Sequence, residues 1–169
     1  MYARVTSLPL SRIVSGGQTG ADRAALDFAI KHGIPHGGWC PLGRWAEDGC
    51  IPARYNLIET PSSDPAVRTE WNVRDSDGTI IFSIQHNLTG GSLWTAECAV
   101  RYGRPLLHLH VGLGWEEILR QMHRFIFKNS IKSLNVAGPR ISNEPQIYHF
   151  VSFCLERWWE SILAFSKGM

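Results

Sequence analysis

The stretch SGGQTGADRAALDFA, residues 15–29, places three glycines directly after a short apolar segment and directly before a helical pattern. Gly33 and Pro35 predict where that helix ends, and RIVSG (12–16) predicts a strand before the glycines. The apolar residues recur at the spacing of one helix face: Ala21, Ala24, Ala25, Phe28 and Ala29. The stretch therefore predicts a strand, a glycine turn and a helix in succession.

The same order recurs along the rest of the chain. Further strands are predicted at GTIIFSI (78–84), PLLHLH (105–110) and SLNVAG (133–138), and further helices from TGGS (89–92) to Gly103, at 115–127 and at about 143–165. This alternation predicts an α/β fold: one Rossmann-like three-layer domain over residues 1–169, with a mainly parallel central sheet. The stretch from about Trp39 to Pro65 is predicted to be a long irregular loop of the kind that is often functional.

The composition is that of an ordinary globular domain, with 44% hydrophobic and 19% charged residues among 169. A formal net charge of +2 argues against nucleic acid or an anionic membrane as a partner. The first residues, MYARVTSLPLSR (1–12), lack the pattern of a signal peptide, and no segment has the roughly 18 apolar residues of a membrane span. The cysteines are far apart, so we expect a reduced, cytoplasmic protein.

Four glycine-containing segments are expected to meet at the carboxyl edge of the sheet, where open parallel sheets bind ligands. Glycine lets a ligand approach the backbone, and free amides at a helix N-terminus bind anions. The segments are SGGQTG (15–20), GGWCPLGRWAEDG (37–49), TGGS (89–92) and AGPRIS (137–142). Their convergence predicts a site for a phosphorylated ligand.

Two common phosphate-binding classes do not fit the first turn. The P-loop pattern fails because no Lys-Ser/Thr pair follows the glycines. The dinucleotide fingerprint nearly fits, with Ser15 in place of its first glycine and Gly17 and Gly20 after it. However, the second strand, PHGGW (35–39), ends without the carboxylate that would bind a ribose hydroxyl. A plain NAD dehydrogenase is therefore not expected.

The predicted ligand contacts follow from these segments. Arg23, Arg44 and Arg68 are expected to neutralise phosphate charge, and Trp39 is expected to stack on a ring. Asp22 has two interpretations, because it could cap the first helix or bind a ligand hydroxyl. The full predicted set is Gly16, Gly17, Gln18, Thr19, Gly20, Asp22, Arg23, Trp39, Arg44, Asn72, Arg74, Thr89, Gly90, Gly91, Ser92 and Thr95.

No dedicated metal site is predicted, although three histidines and one cysteine are of types that can bind metals. His108 and His110 point the same way from one strand, and His36 could join them, but packed histidines are the more common outcome. Cys40 lies in a loop at the expected ligand edge and could bind a soft metal, or simply pack.

Five segments together resemble the bacterial molybdenum carrier family. They are GGQTGADRAALDFAI, GIPHGGWCPLGRWAEDGCIPARY, RTEWNVRDSDGTIIFS, TGGSLWTAECA and LNVAGPR, and they run from about Arg12 to Arg140. That family is similar to molybdenum cofactor carrier proteins of algae and to lysine-decarboxylase-like phosphoribohydrolases. The resemblance implies a cytoplasmic homo-oligomer that binds a nucleotide or the molybdenum cofactor, with the metal arriving on the pterin.

The phosphoribohydrolase relatives suggest an alternative, a nucleotide N-glycosidase. Their signature P-G-G-x-G-T-x-x-E is matched in frame by Thr89, Gly90, Gly91 and Glu97, but Leu93-Trp94 replaces the inner Gly-Thr. If the chain is an enzyme, the resemblance implies that Glu97 and Arg68 are catalytic. Otherwise Glu97 is expected to pair with an arginine such as Arg68 or Arg74.

Overall fold

The computed structural model describes residues 9–167, with the backbone alone for residues 165–167, so most of the 1–12 stretch lies outside the described residues. The strands are β1 (Arg12–Val14), β2 (His36–Gly37), β3 (Trp39–Cys40), β4 (Trp45–Ala46), β5 (Gly49–Cys50), β6 (Ile58–Glu59), β7 (Gly78–Ser83), β8 (Leu106–His110) and β9 (Ser133–Ala137). The helices are α1 (Ala21–Lys31), α2 (Pro65–Arg74), α3 (Gly90–Arg101), α4 (Trp115–Lys128) and α5 (Ile147–Lys167).

Within the described residues, five strands form one sheet in the order β2-β1-β9-β7-β8. Each neighbouring pair in it is parallel. β7 is buried along its whole length, as its nearly continuous apolar sequence predicts for a central strand covered on both faces. The predicted Rossmann-like α/β fold with a mainly parallel sheet is confirmed.

The position of β9 is unusual, because the last strand of the described chain lies in the middle of the sheet. Doubly wound sheets commonly have the strand order 3-2-1-4-5, with the first strand in the middle. If the count starts at β9 and continues from α5 to β1, the observed order becomes 3-2-1-4-5. The chain therefore has a common topology with its beginning moved to a different connection.

Helices cover both faces of the sheet. On one face, α5 packs against α1 and α4 over the main hydrophobic core, which includes Leu109 of β8 and the fully buried Trp158. On the other face, α2 packs against α3, and Leu106 of β8 joins a smaller cluster around Val73 and Cys98. Leu106 and Leu109 are three positions apart on the same strand, so they project to opposite faces.

The segment between β2 and α2 is more ordered than the predicted loop. β3 pairs with β6, β4 pairs with β5 in a hairpin, and a small buried cluster that includes Cys40, Ile51 and Tyr55 packs between them. Gly38 begins the segment with φ +134°, and a Cβ there would lie 2.3 Å from the carbonyl oxygen of Ser15. A glycine is therefore needed where the segment leaves the sheet.

One helix and one helix boundary differ from the sequence-based expectation. Helix α2 was not predicted, although Asp64 caps it through the amide of Ala66 and Pro65 occupies its first turn. Helix α5 begins at Ile147 rather than near Asn143, because a turn through residues 140–144 precedes it. Among residues 9–167, no helix combines the length and the apolar character that crossing a membrane requires.

Candidate functional site

A cleft of about 800 Å³ opens at the carboxyl ends of β7 and β9. Ser83 ends β7 and Gly138 follows β9, and both residues line the cleft. The chain continues from these strands into α3 and α5, which lie on opposite faces of the sheet, and such a point is where open α/β sheets bind ligands. Each of the four glycine-containing segments contributes to the lining, with Gln18, Trp45, Gly90 and Arg140.

The N-terminus of α3 opens into this cleft without a side-chain cap. Thr89 has the extended conformation of an N-cap residue, but its side chain makes no capping hydrogen bond. The first backbone bond of the helix runs from Leu93 N to Thr89 O (3.3 Å), so the amides of Gly90, Gly91 and Ser92 have no partner within the helix. These amides and the helix dipole favour an anion at this position.

Two carboxylates line the cleft, but both bind backbone amides of the protein. Asp64 Oδ1 accepts a hydrogen bond from Ala66 N at 2.9 Å. Glu144 Oε2 accepts from Ile84 N at 2.6 Å, and its Oε1 accepts from Gln85 N at 3.2 Å. These bonds lessen the repulsion that the two carboxylates would exert on a bound anion.

Arg68 and Asp22 form an ion pair between the cleft and the sheet. Arg68 Nη1 lies 2.8 Å from Asp22 Oδ2, and the two side chains are 14% and 5% exposed. Asp22 Oδ2 also accepts a hydrogen bond from Gln18 N at 3.1 Å, so Asp22 binds the turn before α1 as well as Arg68. A Cβ on Gly16 would lie 1.5 Å from Arg68 Nη1, which explains the glycine at that position.

A smaller inner cavity of about 60 Å³ lies beside this ion pair. Asp22, Asn72, Thr95 and Asn135 contribute to its walls. Arg68, Thr69, Gly91 and Gly138 line both cavities, so the inner cavity adjoins the cleft.

The β4–β5 hairpin contacts the α1 turn and the loop after β9 through Glu47. The carboxylate of Glu47 accepts hydrogen bonds from Thr19 Oγ1 and from Ser142 Oγ (2.5 Å), and Gln18 Oε1 accepts from Glu47 N at 3.0 Å. Arg140 lines the cleft, and its Nη1 lies 3.9 Å from Glu47 Oε2. Partial burial alone would raise the pKa of Glu47, but the hydrogen bonds from Ser142 and Thr19 lower it overall.

Three of the predicted arginines are bound elsewhere in the protein. Arg44 donates four hydrogen bonds, of 3.0–3.2 Å, to backbone carbonyls between residues 51 and 57. Arg23 forms a two-point ion pair with Asp48, and Arg74 forms one with Asp75. None of the three lines either cavity, so the geometry does not support their predicted contact with a phosphate.

Trp39, the residue predicted to stack on a ring of the ligand, lines neither the cleft nor the inner cavity. The indole of Trp39 donates to Asp75 at 2.8 Å, and Asn72 makes two hydrogen bonds with the backbone of Trp39. Trp45 and Trp94 line the cleft instead, and Trp45 is 49% exposed. Neither tryptophan was chosen from the sequence, although both lie within segments that were expected at this edge.

Glu97 and Thr95 occupy different sides of α3. Glu97 is exposed and lines neither cavity, and its two expected partners, Arg68 and Arg74, pair with aspartates. Thr95 is buried, lines the inner cavity and donates to the carbonyl oxygen of Gly91 at 2.8 Å. The remaining predicted residues, Gly17 and Gly20, shape the turn before α1 with positive φ angles.

His86, rather than the predicted His36, lies beside His108 and His110. His86 Nδ1 lies 3.1 Å from His110 Nε2, and His108 Nε2 lies 2.6 Å from Ser83 Oγ. Burial and the nearby charges of His110 and His86 lower the pKa of His108. His36 lies on β2 at the far edge of the sheet and accepts a hydrogen bond from Asn56 N.

A metal-binding group is not found within residues 9–167. Cys40 is fully buried in the small cluster beside the hairpin, and burial raises the pKa of its thiol. Its contacts are those of a packed side chain rather than of a metal ligand.

Comparison with known families gives a match over residues 13–159, most of the chain, to the circularly permutated YpsA SLOG family. The chain belongs to this family. The permutation in the family's description agrees with the placement of β9 in the middle of the sheet.

Among solved structures, the crystal structure of a protein from Syntrophus aciditrophicus SB is similar to this SLOG-family chain. It is named “Putative molybdenum carrier protein”, is 48% identical and superposes with a TM-score of 0.87, over 89% of this chain and 95% of that one. No curated protein matches the chain.

Proposed function

We propose that this protein is a cytoplasmic carrier that binds a phosphorylated small molecule in the 800 Å³ cleft. The observation that carries the proposal is the uncapped N-terminus of α3, whose amides at Gly90, Gly91 and Ser92 face a cleft also lined by Arg68 and Arg140. Backbone amides, a helix dipole and guanidinium groups together form a site for a phosphate group.

The size and lining of the cleft support a ligand with a ring as well as a phosphate. Sites for small molecules and cofactors commonly have volumes of roughly 300–1,000 Å³, and this cleft lies in that range. Trp45 and Trp94 offer aromatic surface in the lining of the cleft. The molybdenum cofactor and nucleotides both combine a ring with a phosphate, and the name of the Syntrophus relative favours the former.

A molybdenum carrier of this kind would hold its metal through the pterin. Among residues 9–167, those lining the cleft include no cysteine or histidine, so they suit a phosphate and a ring rather than a bare metal ion. We therefore propose that Arg68, Arg140 and the α3 amides bind the phosphate, and that the metal stays on the cofactor's own sulfur atoms.

The alternative activity, N-glycosidic cleavage by Glu97, gains no specific support from the geometry, since Glu97 is exposed and outside both cavities. Release of free base from nucleoside monophosphates, abolished in Glu97→Gln, would reinstate it.

Arg140→Ala provides the test of the carrier proposal. Purified protein is titrated calorimetrically with molybdenum cofactor and with nucleoside monophosphates. We expect the best ligand to bind at least tenfold more weakly to Arg140→Ala, because a charge-assisted hydrogen bond to phosphate contributes about 1.5–3 kcal/mol. Arg124→Ala is the matched control, because Arg124 is exposed on α4 and lines neither cavity. Equal loss in both variants, or no binding of any of these ligands, would contradict the proposal.

A further inference from the structure

Two histidines contact each other at the end of β8, outside both cavities. His110 is the last residue of β8, and His86 lies in the loop between β7 and α3. His86 Nδ1 and His110 Nε2 are 3.1 Å apart, and the planes of the two rings make an angle of 77°. Neither histidine lines the cleft or the inner cavity, so the pair is separate from the proposed phosphate site.

The contact between the two rings requires that one of the facing nitrogens be unprotonated. A hydrogen bond between two imidazoles joins an N–H group to a nitrogen lone pair, so at most one of the two facing nitrogens carries a proton. Neutral imidazole is also the form of histidine that binds metal ions. Replacing the single shared proton by a metal ion would therefore give two neutral ligands.

The separation of the two nitrogens matches that of neighbouring ligands on one ion. Zinc binds histidine nitrogen at about 2.0–2.1 Å, so two ligands at a right or a tetrahedral angle lie roughly 2.9–3.4 Å apart. The observed 3.1 Å is within this range. The facing nitrogens now point at each other, so a ring must turn until both lone pairs converge on the ion. His86 is exposed, which allows its ring to turn.

The ring of His110 has closer neighbours. A Cβ on Gly112 would lie 3.1 Å from His110 Nδ1, and the ring of His108 lies beside it with the centroids 5.5 Å apart. His108 Nε2 is engaged by Ser83 Oγ at 2.6 Å, so this nitrogen is not counted as a ligand. The pair thus consists of one half-buried imidazole and one exposed imidazole that can adjust to an ion.

We propose that His86 and His110 together bind one divalent transition-metal ion, with water completing its coordination. A group of three or more metal-ligating side chains is not found among residues 9–167, so this ion keeps positions open to solvent. Imidazole ligands favour Zn²⁺, Ni²⁺ or Cu²⁺, whereas Mg²⁺ and Ca²⁺ prefer oxygen. The bound ion joins the loop after β7 to the end of β8.

The test titrates the unmodified protein, prepared without an affinity tag, with Ni²⁺ in a calorimeter at neutral pH. We expect one ion to bind per chain, and Mg²⁺ to give no heat of binding. In His86→Gln we expect Ni²⁺ to bind at least tenfold more weakly, because losing even a residue that only orients a metal ligand costs roughly 10–100-fold in affinity. His149→Gln is the matched control, because His149 is an exposed histidine on α5 and should not affect binding.

Thermal unfolding gives a second readout. A ligand that binds the folded chain raises its Tm, so we expect Ni²⁺ to raise the Tm of the wild type more than that of His86→Gln or His110→Gln. His86 is exposed, so its substitution should leave the Tm without metal unchanged.

Three results would overturn the proposal: no binding of Ni²⁺ to the wild type, equal affinity in wild type and His86→Gln, or an equal loss in His149→Gln. None of them affects the carrier proposal, which concerns other residues and other ligands.

Discussion

Gly16 shows how one missing side chain shapes the site. The guanidinium of Arg68 occupies the space that a Cβ on Gly16 would take, which allows it to reach Asp22 at 2.8 Å. Gly91 also lines the inner cavity, but a Cβ there would meet nothing within 4 Å. The two glycines line the same cavity and differ in what a methyl group would displace.

Gly16→Ala should therefore destabilise the protein, whereas Gly91→Ala should not. We expect Gly16→Ala to lower the free energy of unfolding by about 1–3 kcal/mol, the usual cost of overpacking, because Arg68 must leave its buried partner. Urea unfolding followed by tryptophan fluorescence measures both variants. Similar unfolding midpoints for the two would show that Arg68 moves without cost.

The β4–β5 hairpin is the element whose structure depends most on distant contacts. Arg44 holds its base through four carbonyl oxygens, and Glu47 binds the α1 turn and Ser142, which is 95 residues away. β4 and β5 are only two residues long each, too short for an alternating apolar pattern to reveal them in the sequence. This explains why the segment was predicted to be an irregular loop.

Glu47 should make the stability of this element depend on pH. Its pKa is lowered in the folded protein, so its carboxylate stabilises the fold above the unfolded pKa near 4.5, and this contribution is lost as the pH falls through the lower folded value. We expect Glu47→Gln to cost about 1 kcal/mol at pH 7 and progressively less below pH 4.5. Urea unfolding at a series of pH values checks this, and a cost that is independent of pH would contradict it.

Helix α2 was missed for a different reason. Only Asn72 and Val73 are buried among its ten residues, so it has no clear apolar face for a periodicity argument to detect. The start signal, Asp64 followed by Pro65, was present in the sequence but lay at the end of the presumed loop. That helix nonetheless carries Arg68, so its placement is essential for the site.

At the scale of the whole molecule, the fold is defined by which strands are neighbours in the sheet rather than by the order in which they occur along the chain. The contacts of β9 with β1 and β7 do not depend on whether β9 is the first or the last strand. The homo-oligomer that the family resemblance implies stays a prediction, which light scattering of the purified protein can check.

A permuted chain should fold to the same structure. We expect a chain that starts at Ser130, in the exposed turn after α4, and joins the original C-terminus to the N-terminus to keep the circular dichroism spectrum and ligand affinity of the wild type. The native contacts are unchanged, and loop-closure entropy changes only slowly with loop length. Loss of cooperative unfolding in the permuted chain would show that the present order of elements is required.

The sequence by itself determined the alternation of strands and helices, the buried central strand and the edge at which the glycine turns meet, because periodicity and glycine turns are local properties. It could not determine which arginine serves the cleft. Arg44 and Arg68 both stand in segments that reach this edge, yet one binds carbonyl oxygens and the other binds Asp22, 46 residues away. Only the tertiary structure decides such pairings, because a hydrogen bond depends on distances between atoms that sequence spacing does not define.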